Sequence, residues 1–213
     1  MTAREDILAR IRSANGHAST PEQAHRAWHD LPREYVTTGR HAPEEVLALF
    51  EDRLRDYDAT VLRCAQAEVA ITIAKLLNGR AKQHMLIPVG LPPQWLPGGF
   101  GFVTDDAFTA TQLDRFDGVL TAASIAIAET GTVVLQSVPG QGRRAVSLVP
   151  DYHLCIVRAV DVVETVSEGM ARLNGTANLP TTFVSGPSAT ADIEMTRIKG
   201  VHGPRFLDVL ILE

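Results

Sequence analysis

"HLCIVRAVDVVETVSEGMARL", residues 153 to 173, decides the reading of the fold. It opens as a short apolar, β-branched run, His153 to Val160, and passes into Asp161 to Leu173, which reads as a helix. An apolar run without polar alternation fits a strand buried on both faces, and a helix after it is how a parallel neighbour is reached. The same kind of run recurs outward along the chain: "TTFVSG" from Thr181 and "RFLDVLILE" from Arg205 on one side, "GTVVLQS" from Gly131 and "GVL" near 118 on the other. Strands this short interleaved with helices predict an α/β fold, a three-layer open sheet that is mostly parallel. "GTVVLQS" and "RAVSLVP" from Arg144, joined by "VPGQG", predict one antiparallel hairpin.

Further toward the N-terminus, residues 2–14 predict a short amphipathic helix. Thr2 and Glu5 have capping-box spacing, Ile7, Leu8 and Ile11 share a face, and Asn15-Gly16 is a stop. From His17 to Ala42 the pattern dissolves into polar residues, prolines and four of the seven histidines, and reads as a solvated linker. His25, His29 and His41 have no fixed spacing that would build a metal site there. The expected division is residues 1–42, a helical arm and linker, and 43–213, an α/β domain. Pro43 starts a helix in which Val46, Leu47, Phe50, Leu54 and Tyr57 recur at three- and four-residue spacing. "AQAEVAITIAKLLNGR" predicts a second helix, ended by Asn78-Gly79 and followed by the strand-like "HMLIPVG". "LPPQWLPGGFGFV" is too rich in Pro and Gly for a regular element before Phe100 to Val103.

The 213 residues, 45% of them hydrophobic, are enough for one sizeable core. A formal net charge of −5 gives no basic field to gather nucleic acid. Cys64 and Cys155 lie far apart and neither belongs to a C-x-x-C unit, so no four-cysteine cluster is available and no cofactor is expected in this chain. The N-terminus has no apolar leader and no run reaches the ~18 apolar residues of a membrane span. A cytoplasmic protein is expected.

Two stretches carry candidate chemistry. "IAIAETGTVVL" sets Glu129, Thr130, Gly131 and Thr132 directly before an apolar strand, and Glu129 is the only charge between Gly118 and Gly142. A carboxylate at the mouth of a sheet suits acid–base or nucleophilic work, or caps a backbone end. "SGPSATADIEMTRIKGVHGP", residues 185 to 204, is far longer than the ~2–6 residues a connection needs. Its Gly186, Gly200 and Gly203 permit unusual backbone, and Ser185, Ser188 and Thr190 bring hydroxyls and amides suited to a carboxylate or phosphate. Asp192 and Glu194 add charge, and His202 is the proton shuttle that works near neutral pH. A loop leaving the carboxyl end of a strand is where open α/β sheets bind ligands, so both stretches are expected around one cleft, with Glu129 and His202 as its catalytic candidates. "PGQGRRA" has the G-x-G-x-x-A spacing of a dinucleotide loop, but such a loop must open a helix, and the apolar run after it argues for a strand. Arg143 and Arg144 remain as an anion-binding pair or as solvated turn residues, and His153 in "YHLCIV" reads as a hydrogen-bonded core histidine.

"AIAETGTVVL", "RAVSLVPDYH" and "FVSGPSATADIEMTRIKGVHGP" together resemble the signature of the LUD-domain family, over roughly residues 45 to 213. The resemblance implies a fold similar to the sugar-phosphate isomerase and CoA-transferase superfamily. It also implies a part in oxidising L-lactate to pyruvate beside two partner proteins, at least one bearing iron–sulfur clusters. On that reading this chain is the cluster-free subunit and binds a small carboxylate, another anionic ligand or an assembly partner. A stand-alone isomerase or acyl-CoA transferase using Glu129 is the alternative, and a purely structural scaffold a third.

Overall fold

The computed structural model describes residues 2–16, 20–190, 198–200 and 202–213. The chain forms two compact units, residues 1–35 and 36–213. The first holds helices α1 (Ala3–Ala14) and α2 (Pro21–His29), neither with a buried residue. Thr2 caps α1 with the expected reciprocal bond to Glu5. Helix α2 lies in the stretch read as linker. Thr20 and Gln23 form a second capping box and Pro21 sits at its first turn, local signals strong enough to start a helix that has no apolar stripe to announce it.

In the second unit, helix α3 (Pro43–Asp56) leads to β1 (Thr60–Cys64), then α4 (Val69–Gly79), β2 (His84–Ile87), β3 (Gly101–Thr104), the single turn α5 (Ala110–Leu113) and β4 (Gly118–Ala122). There follow β5 (Ile125–Ile127), β6 (Thr132–Gln136), α6 (Arg144–Leu148), β7 (Tyr152–Arg158), β8 (Val162–Val163), α7 (Val166–Leu173), β9 (Thr181–Val184), β10 (Ala189–Thr190), β11 (Ile198–Lys199) and β12 (Phe206–Leu212). Six strands make one sheet in the order β1-β12-β7-β4-β2-β3, with every pairing parallel. A smaller sheet runs β8-β5-β6-β9, antiparallel except between β5 and β8.

The two-residue period sorts the central strands cleanly. Cys155 and Val157 of β7 and Leu207, Val209 and Ile211 of β12 meet α3 and the small sheet. Leu154, Ile156, Leu210 and Leu212 point the other way, onto α4. Helix α7 covers the outer face of the small sheet through Leu173, and Gly169 brings it within 2.8 Å, measured from a would-be Cβ, of Ile127. One charge interrupts the second face: Asp208, fully buried, accepts from Tyr152 Oη at 2.9 Å and from both ends of the Arg80 guanidinium at 2.5 and 3.1 Å. A buried carboxylate held by a two-pronged arginine and a phenol satisfies the rule that interior charge is paired.

Two expectations are corrected. "RAVSL" is not a strand but helix α6, so it forms no hairpin with β6, whose antiparallel partners are β5 and β9. Its apolar residues follow the helical period: Ala145 and Val149 flank Val146, which packs with Leu86, Leu113 and Val119. Five residues are too few for periodicity to separate the two readings. The helix expected from Asp161 begins at Val166, where Thr165 and Glu168 form the capping box, while Val162–Val163 pairs with Ala126–Ile127 as an edge strand.

Candidate functional site

The loop after β9 folds back on the segment that enters β12, and Ser188 joins them. Its amide donates to Pro204 O at 2.8 Å, its carbonyl accepts from Gly200 N at 2.8 Å, and its hydroxyl accepts from His202 N at 3.0 Å. These groups bond within the loop pair rather than presenting bare amides. Gly186 is buried at φ +82°, against Tyr57, and Gly203 lies beside Ser188. Thr190 is in β10, paired with Ile198 of β11. Asp192 and Glu194 lie outside the described residues.

Around this clasp is a cavity of about 280 Å³, lined among others by Ser185, Ser188, His202, Gly203, Arg144 and His153. An adjoining recess of about 510 Å³ shares His202 and Gly203 and is bordered by Asp114 and by Asp151, which pairs with Arg205 at 2.6 Å. That arginine holds the Asp151 carboxyl below the usual range. The cavity opens beside His153 and Leu207, the second residues of β7 and β12, so it sits at the amino ends of these strands. The expectation of a carboxyl-end site fails for a topological reason: the strand that the loop leaves, β9, belongs to the small antiparallel sheet.

The first motif reaches the same loop through its hydroxyls. Thr130 Oγ1 is 2.7 Å from Thr132 Oγ1, and Thr132 Oγ1 is 2.7 Å from Ser185 Oγ, so the two stretches are joined by a chain of three hydroxyls. Gly131, at φ +57°, abuts the backbone of Arg53. Glu129 is placed differently. It is exposed, its Oε1 accepts from Val166 N at 2.6 Å at the start of α7, and it is not among the residues that line the cavity.

Two further residues line the cavity: His153, read from the sequence as a core histidine, and Arg144, read as an anion binder or a solvated turn residue. His153 is 1% exposed, its Nε2 lies 2.8 Å from Thr121 Oγ1, and burial lowers its pKa to about 4, so the ring is neutral. Burial also pushes the neighbouring Cys155 thiol up to about 12, and both cysteines are free. The paired arginines divide. Arg143 is clamped by Asp105 at 2.7 and 2.9 Å and by Phe108 O, while Arg144 lines the cavity. The glycine-rich turn before them does open a helix, but one of five residues, and Arg143 is taken by its carboxylate. That pair borders a separate cleft of about 330 Å³ with Pro88 and Val89, beyond the carboxyl end of β2. Among the described residues no group of three or more His, Cys, Asp or Glu could hold a metal ion, and no helix is long and apolar enough to cross a membrane.

An open parallel sheet carrying a small, mostly antiparallel sheet on one face, with a cavity of mixed polar and apolar lining at the amino ends of β7 and β12, defines the class: a two-sheet α/β protein. The chain belongs to the LUD domain family, whose model matches residues 17–212. It is 44% identical over 171 residues, 79% of this chain and 80% of the other, to lactate utilization protein C of Deinococcus radiodurans. Over 96% of this chain and 93% of the other it is 28% identical to lactate utilization protein C of an Exiguobacterium strain. The crystal structure of a DUF162 family protein from Deinococcus radiodurans superposes with a TM-score of 0.72 at 39% identity, covering 82% of this chain and all of that one.

Proposed function

We propose that this chain is the cluster-free subunit of a cytoplasmic L-lactate-oxidising system, working beside iron–sulfur partner proteins and holding a small carboxylate or other small anion in the cavity at His202. The observation that carries this reading is the 44% identity, over four-fifths of both chains, to a protein named for lactate utilization. Cys64 and Cys155 are buried on different strands and are too few for a four-cysteine cluster, so iron–sulfur centres of such a system belong to partner polypeptides. The open parallel sheet is compatible with the sugar-phosphate isomerase and CoA-transferase architecture. A stand-alone isomerase or acyl-CoA transferase acting through Glu129 is less well supported, since that carboxylate is bonded to Val166 N and does not line the cavity.

The test is genetic. Deleting the gene in its host is expected to abolish growth on L-lactate while sparing growth on pyruvate, with rescue by the wild-type gene. Undiminished growth on L-lactate would refute the subunit reading.

A further inference from the structure

Strand β9 is an open edge of the small sheet. Pro180 O accepts from Ser137 N at 3.3 Å, and bonded pairs alternate along an antiparallel ladder, so Thr182 and Val184 turn their amides and carbonyls to β6. Those of Thr181 and Phe183 face the other way, into the space beside the strand. Thr182, Phe183 and Val184 line the cavity of about 280 Å³ together with Arg144, Ser147 and Leu148 of α6. β9 holds no charge or proline of the kind that blunts an exposed edge. Its side chains alternate: Val184 packs between the two sheets, while Phe183, opposite Val134, is half-exposed on the outer face. The charge of the cavity is one-sided. Among the described residues no carboxylate lines it and none pairs with Arg144, whereas Arg143 is neutralised by Asp105.

A segment that fits such an edge lies in the chain itself. "EYVTT", residues 34 to 38, stands between α2 and α3 in no helix or strand, yet four of its five residues are aromatic or β-branched, the composition of a strand. All five are exposed, Tyr35 by 63% and Val36 by 56%. In an extended chain Glu34 and Val36 share one face and Tyr35 takes the other. Laid beside β9, the run sets Glu34 and Val36 toward Arg144 and Leu148 and Tyr35 beside Phe183, which joins a charge match to an aromatic pair.

The chain's own β9 is out of reach of this run. Gly39 is moored on Glu164, the residue after β8, with a would-be Cβ 2.6 Å from that side chain's Cβ, and Arg40 and His41 donate their amides to its carboxylate. In the order β8-β5-β6-β9 a strand added outside β9 lies four spacings from β8, about 19 Å, whereas the three residues from Val36 to Gly39 span about 10 Å. We propose that residues 34–38 of one copy add as a fifth strand to β9 of a second copy, reciprocally, giving a closed two-fold dimer. The added strand takes the β9 side of the cavity and leaves its His202 end to the anion.

Sedimentation velocity of the purified full chain is expected to show a monomer–dimer equilibrium with a dissociation constant on the order of 10 μM, in keeping with two short edges. Arg144→Glu is expected to raise that constant about tenfold, and Glu34→Arg added to it to restore the wild-type value. Cross-linking supplies an independent readout: Tyr35→Cys combined with Phe183→Cys, oxidised, is expected to run as a covalent dimer on a non-reducing gel, the native cysteines being buried. Glu34, Tyr35, Arg144 and Phe183 are all exposed, so the variants fold. A chain monomeric at every concentration, a dimer indifferent to Arg144→Glu, a double charge reversal no better than the single, or a cross-link that is absent or closes within one copy would overturn the assignment.

Discussion

His153 makes stability depend on pH in a calculable direction. An unfolded histidine takes up its proton near pH 6.5, whereas burial lowers His153 to about 4. Between those values the unfolded chain binds more protons, so this contribution is complete above 6.5 and is lost as pH falls toward 4. Urea unfolding at pH 7 and pH 5 should differ by about 2 kcal/mol from this residue, and His153→Asn should flatten that interval. Glu129 gives a second expectation. Because Oε1 accepts from Val166 N at the start of α7, Glu129→Ala should lower the melting temperature by about 2–4 °C and leave growth on L-lactate near wild type. Growth lost at an unchanged melting temperature would instead place Glu129 in the chemistry. Its sequence context, a lone charge before an apolar strand, suits a cap as well as a catalytic acid. Only the position of α7 separates the two roles. The burial of His153 was legible in the apolar alternation around it, but Thr121 as its partner was not, because a contact between neighbouring parallel strands leaves no local spacing.

At the scale of elements, what could be read depended on length and on the source of the signal. Helices α3 and α4 and strands β7 and β12 are long enough for their apolar period to be unambiguous, and they lie where the sequence puts them. Strand β1, "TVLRC", went unread in the sequence: its five residues include an arginine, which pairs with Glu51 and Glu44. Helix α6 depends on distant contacts: Asp105 fixes the residue before it and Val146 packs on three other elements. The loop containing Ser188 depends on Gly186, whose positive φ and close fit against Tyr57 leave no room for a side chain. Gly186→Ala should therefore cost about 1–3 kcal/mol, more than an ordinary surface substitution, as judged by the midpoint of chemical unfolding. An unchanged midpoint would mean that the turn relaxes without disturbing α3.

For the molecule as a whole, the alternation of short apolar runs with helices was sufficient to indicate an open, mostly parallel sheet. The cavity was less accessible, because it depends on a second sheet in which the strands that pair with β6 have three and four residues and the edge strand β8 has two. Neither α1 nor α2 buries a residue. Removing residues 1–35 should consequently leave the melting temperature of the remaining chain within about 2 °C of the full-length value, measured by calorimetry, because exposed helices add little to a core. A large drop would show that the amino-terminal unit supports the rest.

The strand order also sets a schedule. β12 lies between β1 and β7, with Thr60 in register with Asp208 and Leu207 with His153, so the strand occupying the middle of that three-strand group is the last of the sheet to be synthesised. Until it arrives, β1 has no neighbour, α3 lacks much of the surface it packs on, and Arg80 has no buried carboxylate to meet. An emerging chain must therefore hold an unfinished apolar surface open through most of its translation, and the step that closes the cavity is the same late insertion that completes the sheet.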